Sequence, residues 1–357
     1  QKTYGDIAYM RHGYEHAYDL FSPDLMREAL VDNAEHFIRW ERGISVFEEA
    51  FGQSVLVTEG DTWKRQRRML TPVFSARHIA GYAALMTAAA RRALGDTVPA
   101  SETNAVVDVE ALMARVTMDV IMRVLFSSGA EADARDAATA TQILSATAMN
   151  EMYWPFTLPM WLPWPGNAQK RWAFRALRGL VSRHIEERHR ARVGTAPSDD
   201  LLAILLAARD EENPTLGLSA KELFDQCMVL FQAGHETSAT ALVWWSRLVA
   251  ERADVSQRIQ KEINDVLQGR EPTAADVPRL DYLQATLKEA MRLYPPIPAL
   301  MSRRAVRDVQ LGGWTVPRGS LVRIAPWVAH HDARWFADPE DFRPERFIAG
   351  AESPPRG

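Results

Sequence analysis

The sequence predicts a mainly α-helical fold, a large helical bundle with one long central helix and a small β-rich lobe. Three observations lead there. Apolar residues recur at helical spacing over most of the chain, whereas strand-like alternation with Gly and Pro punctuation is confined to residues 306–324 and, weakly, to the first twenty residues. Residues 219–245 are apolar on more than one face, the pattern of a helix that runs through the middle of a large fold. No internal repeat and no low-complexity linker interrupts the 357 residues, so one domain over residues 1–357 is expected, truncated at both ends.

Taken in order, residues 1–20 suit edge strands, and residues 23–37 space Leu25, Ala29, Leu30 and Ala34 as a helix does. Residues 43–60 read as a loop rich in Phe47, Phe51, Val55, Leu56 and Val57, a composition that covers something apolar. Asp61 and Thr62 are placed to cap a helix that begins at Trp63 and stops or kinks at Pro72. Ser75 is placed to cap the next, which continues to Leu94. Residues 108–126 carry an apolar stripe from Val109 to Val124. Residues 154–166 are a Pro- and Trp-rich structured loop, and residues 167–192 a helix. Ser198, Asp199 and Asp200 start a short helix, and a turn follows at Asn213-Pro214. Ser219 and Glu222 form a capping box at the head of the central helix. Residues 254–267 are an amphipathic helix ended by Gly269, and residues 281–293 another ended by Pro295-Pro296. Residues 306–324 then read as short antiparallel strands and turns.

With 47% hydrophobic and 25% charged residues, the chain has the make-up of an ordinary globular protein. Its formal net charge of -4, with basic residues scattered, argues against a nucleic-acid partner. No run of apolar residues is long enough to span a bilayer and the N-terminal residues lack signal-peptide zoning, so no membrane span and a cytoplasmic location are expected. Cys227 is the only cysteine, which excludes an intramolecular disulfide and a cysteine zinc site.

Inside the long apolar helix lies a polar group, Ala233-Gly234-His235-Glu236-Thr237-Ser238. Gly in a helix interior costs roughly 1 kcal/mol relative to Ala. A buried Glu needs a partner or a proton. A sequence that accepts such penalties in adjacent turns of its most hydrophobic helix is spending stability on a site. Elsewhere, Glu289 and Arg292 share a helix face at i, i+3, and Arg343-Pro344-Glu345-Arg346-Phe347 forms a Pro-bounded charged stretch. Trp63 and Arg67 are i, i+4 neighbours, so an indole donor and a guanidinium face the same way and suit a carboxylate. His235-Glu236 begins like a zinc-protease helix, but position 239 is Ala, and His12 with His16 has no third ligand.

These residues resemble the cytochrome P-450 heme-thiolate monooxygenases, of bacterial type. The resemblance rests on four motifs in order: Trp63 with Arg67, Ala233 to Ser238, Glu289 with Arg292, and Pro344 to Phe347. It implies a P-450 fold holding heme b. Trp63, Arg67 and Arg303, with His330 as a further candidate, are then expected on the heme propionates. Gly234, beside Ala233, is expected to let the helix approach the macrocycle and to leave room for dioxygen. Thr237 and Glu236 are the implied catalytic pair, the hydroxyl ordering water and oxygen and the carboxylate relaying protons from solvent. Glu289, Arg292 and Arg346 form a bracing triad that performs no bond chemistry. The implied substrate pocket takes Phe47, Phe51, Val55, Phe231, Ile297 and Met301.

The same resemblance implies an apolar small-molecule substrate. Its electrons come from NAD(P)H through a separate ferredoxin- or flavodoxin-type donor, and the protein is expected to be a monomer. Lys64, Arg65 and Arg68 are candidates for a basic docking surface for that donor. One element is missing from the pattern, the cysteine on a Gly-rich loop that ligates the iron. Cys227 lies ten residues before Thr237, roughly 15 Å along a helix, and reads as a small buried hydrophobe. The chain itself therefore offers no metal ligand, and the axial cysteine is expected beyond Gly357, with a thiolate-type Soret band appearing only when the chain is extended.

Two other readings stay open. A family member that rearranges or dehydrates peroxides needs no external electrons. A non-catalytic helical binding protein keeps the scaffold and binds no heme.

Overall fold

The computed structural model describes residues 5–97, 106–129, 131–154, 160–162, 164–191 and 200–348. Strands β1 (Ile7–His12) and β2 (Glu15–Leu20) lead to helix α1 (Pro23–Arg27), strand β3 (Phe37–Arg39) and helices α2 (Glu41–Phe51) and α3 (Gly60–Leu70). Helices α4 (Ala76–Gly81), α5 (Ala83–Thr97), α6 (Val109–Phe126), α7 (Glu131–Tyr153), α8 (Asn167–Ala191) and α9 (Leu201–Ala207) follow. The long α10 (Ala220–Ala250) precedes α11 (Ala253–Leu267) and α12 (Asp281–Leu293). Strands β4 (Arg303–Ala305), β5 (Val309–Leu311), β6 (Trp314–Val316) and β7 (Leu321–Ile324), then α13 (Pro326–His330) and a 3-10 turn at Pro344–Phe347, complete the order. The molecule is thus mostly helical with small sheets. Among the described residues no helix is long and apolar enough to cross a membrane.

The chain divides into two compact units, with α10 passing from one to the other after Thr240. One unit takes the chain up to Ile44, then Ala241–Arg270, then the chain from Asp276. It contains a five-stranded sheet ordered β1-β2-β7-β4-β3, in which only β2 and β7 run parallel, and the separate hairpin β5–β6. Leu20, Leu311, Val316, Val322 and Ile324 fill its core. A second cluster packs Leu248 of α10 with Val255, Ile259, Tyr282, Ala290 and Leu293, and Trp245 Nε1 donates to Thr286 Oγ1 at 2.9 Å.

The other unit takes Ser45–Thr240 and Glu271–Ala275. Met118, Met122 and Leu125 of α6, Leu177 of α8, Leu202 and Leu205 of α9, and Met228 and Phe231 of α10 are among its fully buried side chains. A surface helix hides one stripe, whereas α10 hides several, which is why its sequence shows no single polar face.

Local signals account for most boundaries. At the head of α10 the Ser219 amide donates to Glu222 Oε2 at 2.9 Å, and the Glu222 amide donates to Ser219 Oγ at 3.2 Å. That is the reciprocal capping box. Asp108 caps α6 by accepting from the Ala111 amide at 3.0 Å, and Asp200 caps α9 through the Ala203 amide at 2.9 Å. Helix α12 occupies Asp281–Leu293, as expected.

Several expectations are corrected. Residues 43–60 are not all loop, because α2 buries Val46, Ala50 and Phe51 on one side. Gly43 fits inside it, the place of its absent Cβ lying 3.4 Å from Met301 Cγ. Helix α3 starts at Gly60 with Glu59 at the cap and no side-chain cap bond, rather than on Asp61 and Thr62. The helix from Ser75 breaks at Tyr82 into α4 and α5. Residues 23–37 form α1, a π turn and a 3-10 turn before β3. Helix α7 has no clear signal in the sequence, being Ala- and Thr-rich without a clear stripe. Within the loop expected at 154–166, residues 155–159 and 163 lie outside the described residues, as do Ser198, Asp199 and Arg192.

Candidate functional site

In the second unit, the polar group of α10 is held from two sides. His235 is buried, and its Nε2 lies 3.2 Å from the Ala114 carbonyl oxygen of α6. A carbonyl only accepts, so Nε2 carries the proton. Nδ1 is buried without a hydrogen-bond partner, and burial pushes the imidazole pKa below its ordinary value. The ring is therefore neutral. Two further contacts fix its neighbours. A Cβ on Gly234 would stand 2.9 Å from Ile121 Cδ1, so the missing side chain admits α6, a reason the sequence alone did not offer. The Ser145 hydroxyl of α7 donates to Glu236 Oε2.

Ala233 and Thr237, one turn apart, are left on a more open side, with Ala233 exposed and Thr237 half-buried. The Thr237 hydroxyl donates to the Ala233 carbonyl oxygen at 2.7 Å. That bond uses the hydroxyl proton and leaves the oxygen's lone pairs to accept from a ligand or water. Cys227 is fully buried further up the same helix, and burial pushes its thiol up to about 12.

On α3, Trp63 is half-buried and Arg67 exposed, with the guanidinium carbon 5.4 Å from the indole centroid. No carboxylate among the described residues pairs with Arg67. Its neighbours are different. Arg65 pairs with Glu222, and Arg68 with Asp210 at 3.2 Å and Glu212 at 2.9 Å. The basic docking surface expected from Lys64, Arg65 and Arg68 is corrected accordingly: two of its three cations are neutralised locally, and Lys64 lies 3.5 Å from Asp61.

In the first unit, Glu289 is fully buried and takes a bidentate pair from Arg292, Nε to Oε2 at 2.8 Å and Nη2 to Oε1 at 2.9 Å. Arg346 Nε donates to Oε1 at 3.2 Å, and the Arg343 amide to the same oxygen at 2.9 Å. Arg292 Nη1 also donates to the carbonyls of His330 and Pro339, each at 2.7 Å. Arg346 Nη2 donates to the Asp338 carbonyl at 2.7 Å. The three charged residues thus pin the irregular stretch 338–346 to α12.

Arg303 is half-buried and donates through Nη1 to the Met301 carbonyl at 2.7 Å. His330 fits a carboxylate poorly. Its Nδ1 faces the Arg292 carbonyl at 3.1 Å and must hold the ring proton, and burial lowers its pKa, so Nε2 is a bare acceptor. The proposed pocket residues divide. Phe47, Val55 and Met301 are half-buried and Ile297 is exposed, while Phe47 and Phe51 rings lie 5.8 Å apart. Phe231 is corrected to a core residue, fully buried with its ring 6.4 Å from Phe126. Phe51 is buried as well.

An unpaired guanidinium stacked beside an indole suits an acidic cofactor tail, and the exposed Ala233 next to a free hydroxyl oxygen suits a flat ring with a small bound ligand. Cys227 does not suit an iron, since a thiolate is the ligating form and burial disfavours it. Among the described residues no group of three His, Cys, Asp or Glu side chains is placed to hold a metal ion.

The fold with this notch in its central helix is that of an oxidoreductase family, as comparison with known proteins shows. The chain belongs to the cytochrome P450 family, whose model matches residues 1–354. It is 34% identical over 350 residues to cyclooctat-9-en-7-ol 5-monooxygenase of Streptomyces melanosporofaciens, covering 97% of this chain and 73% of that protein. It is 27% identical over 371 residues to the chloroplastic carotene epsilon-monooxygenase of Arabidopsis thaliana, covering 98% of this chain and 67% of that protein. Among solved structures, retinoic acid bound cyanobacterial CYP120A1 superimposes with a TM-score of 0.82 at 27% identity, over 99% of this chain and 78% of the other. Heme monooxygenase is the activity class these findings support.

Proposed function

We propose that the protein inserts one atom of dioxygen into an apolar organic molecule, with electrons from NAD(P)H delivered by a separate ferredoxin- or flavodoxin-type protein. The observation that carries this reading is the adjacency of Thr237, bonded to the Ala233 carbonyl, and Glu236, bonded to Ser145, in the longest helix among the described residues. Heme supplies dioxygen binding and, with a thiolate ligand, O–O cleavage. Trp63, Arg67 and Arg303 would hold its propionates, and Ala233 and Gly234 would border the ring. His330 is left out of that set, because its free nitrogen does not donate.

Thr237 orients water by accepting hydrogen bonds on its oxygen, while Glu236 takes a proton from solvent at its carboxylate and passes it inward. A carboxylate and a hydroxyl on consecutive helix residues face different directions, so the transfer runs through water. Phe47, Val55, Ile297 and Met301 are the apolar side chains we assign to substrate. Relatives named for cyclooctat-9-en-7-ol and carotene, both largely hydrocarbon, agree with an apolar substrate. Cys227 is not assigned as the thiolate, since burial disfavours its ionised form. We place the protein in the cytoplasm as a monomer.

The test uses the protein as its gene encodes it, loaded with hemin. Reduction under carbon monoxide yields a thiolate-type Soret band, and product forms only with NAD(P)H and the electron-donor protein. Equal product from an organic peroxide without electrons favours the peroxide-rearranging reading. Failure to bind hemin leaves the non-catalytic reading.

A further inference from the structure

Helix α10 carries three acidic side chains, and they are held in different ways. Glu222 pairs with Arg65, and Asp225 with Lys221 at 2.7 Å. Glu236 has no cation beside it among the described residues. Its one partner there is the Ser145 hydroxyl of α7, bonded to Oε2, and Oε1 has none. His235, the adjacent titratable residue, is neutral and turned to the Ala114 carbonyl of α6, so it adds no positive charge. Ser145 and Glu236 are both half-buried and belong to the same compact unit.

The hydroxyl is committed to this contact. Thr139 and Thr147, on either side of it in α7, donate to carbonyls four residues back in their own helix, Arg135 at 3.1 Å and Ile143 at 2.7 Å. That is the ordinary use of a helical hydroxyl. Ser145 instead gives its proton across to α10.

A guanidinium or ammonium against a carboxylate favours the ionised form. A bidentate pair such as Arg292 with Glu289 also occupies both oxygens, which suits a brace and hinders proton exchange. A neutral hydroxyl occupies one oxygen and brings no charge. The carbonyl oxygen of a carboxylic acid accepts a hydrogen bond as a carboxylate oxygen does, so the bond at Oε2 persists whether or not Oε1 holds a proton. The group can then change its charge without changing its place.

We propose that Ser145 is the positioning residue of the proton relay, an inference that rests on the relay reading of Glu236. Ser145 anchors Oε2 on α7 in both protonation states and leaves Oε1 as the atom through which the proton passes. A solvent proton bonds to Oε1; the Oε1–H bond then breaks as the proton moves to water oriented by Thr237, and the carboxylate is regenerated. Ser145 keeps its own proton throughout.

The test compares S145A, E236Q, the double variant and T147A in the heme-loaded protein with its electron donor. E236Q is expected to lower turnover about a hundredfold, the size of a lost general acid–base group. S145A lowers it about tenfold, the size of a lost hydrogen bond to a charged group, and raises the solvent deuterium isotope effect. In the E236Q background S145A adds less than about twofold, because the group it acts through is gone. T147A, at a hydroxyl that serves its own helix, changes neither quantity. Ala is a better helix former than Ser, so S145A folds. A second readout needs no turnover. The infrared carboxyl stretch that E236Q abolishes, followed through an acid titration, moves to higher frequency in S145A as the carbonyl loses its donor. Unchanged turnover in E236Q overturns the relay reading and this proposal with it. A loss in E236Q with none in S145A overturns this proposal alone, as does an equal loss from S145A with and without Glu236, or a carboxyl band that S145A leaves in place.

Discussion

The Thr237 hydroxyl reaches back one turn to the Ala233 carbonyl, at 2.7 Å. Such a bond competes with regular helix geometry, and Thr is a poorer helix former than Ala. The residue is thus a liability to the helix that carries it. Replacing it separates stability from chemistry. Thr237→Ala is expected to leave thermal stability unchanged or raise it by up to about 0.7 kcal/mol. Product formed per NAD(P)H falls about tenfold or more, because a positioned proton-transfer group is lost. Differential scanning calorimetry and coupled product assays read the two effects, and Thr237→Ser restores most of the second.

Glu289 serves two guanidiniums and one backbone amide from a position without solvent. Removing the carboxylate leaves Arg292 buried and uncompensated. Glu289→Ala is expected to cost about 3 to 5 kcal/mol, measured by urea denaturation. Glu289→Gln keeps an acceptor for the Arg343 amide and loses less. Arg346 is more exposed than Arg292, so Arg346→Ala is the mildest of the three changes.

Burial lowers the pKa of His184, His235 and His330 below the ordinary histidine value, the first of these while stacked on Phe126 at 4.6 Å. Each ring is neutral in the fold, whereas the unfolded chain takes up protons near pH 6.5. Stability from these rings is complete above about pH 6.5 and is lost as pH falls from there through the lowered values. Urea midpoints should therefore decline on acidification from neutrality. The slope flattens in His235→Gln, whose amide still donates to the Ala114 carbonyl.

Gly234 and Ile121 form a testable pair, since a Cβ at 234 meets only the far end of the isoleucine. Gly234→Ala gains roughly 1 kcal/mol of helix propensity but loses about 1 to 3 to crowding. Shortening the partner relieves the crowding. The double variant Gly234→Ala with Ile121→Val is expected to be more stable than the sum of its single effects, a non-additivity read from a double-mutant cycle.

Features set by neighbours in sequence were legible. The capping box at Ser219 and Glu222, the limits of α12 and the Glu289–Arg292 pairing all follow from residues within one turn. Long-range choices were not. Helix α2 reads as loop because Gly43 and scattered Phe and Val obscure its stripe, and what admits the glycine is Met301, far along the chain. Helix α7 hides in Ala and Thr of similar polarity on every face. The grips of Ser145 on Glu236 and of Ala114 on His235 join residues about ninety or more positions apart, and no local pattern announces them. Phe231 falls near the notch in sequence, yet the helix turns its ring toward Phe126.

Glu222, Asp210 and Glu212 absorb the charges of Arg65 and Arg68, which the sequence alone leaves open. Long-range attraction depends on charge left over after such pairing, and with Arg67 assigned to a propionate and Lys64 beside Asp61, α3 keeps little to steer an acidic visitor. The speed of encounter at that face should then vary only gently with ionic strength, and recognition there falls to shape and apolar fit.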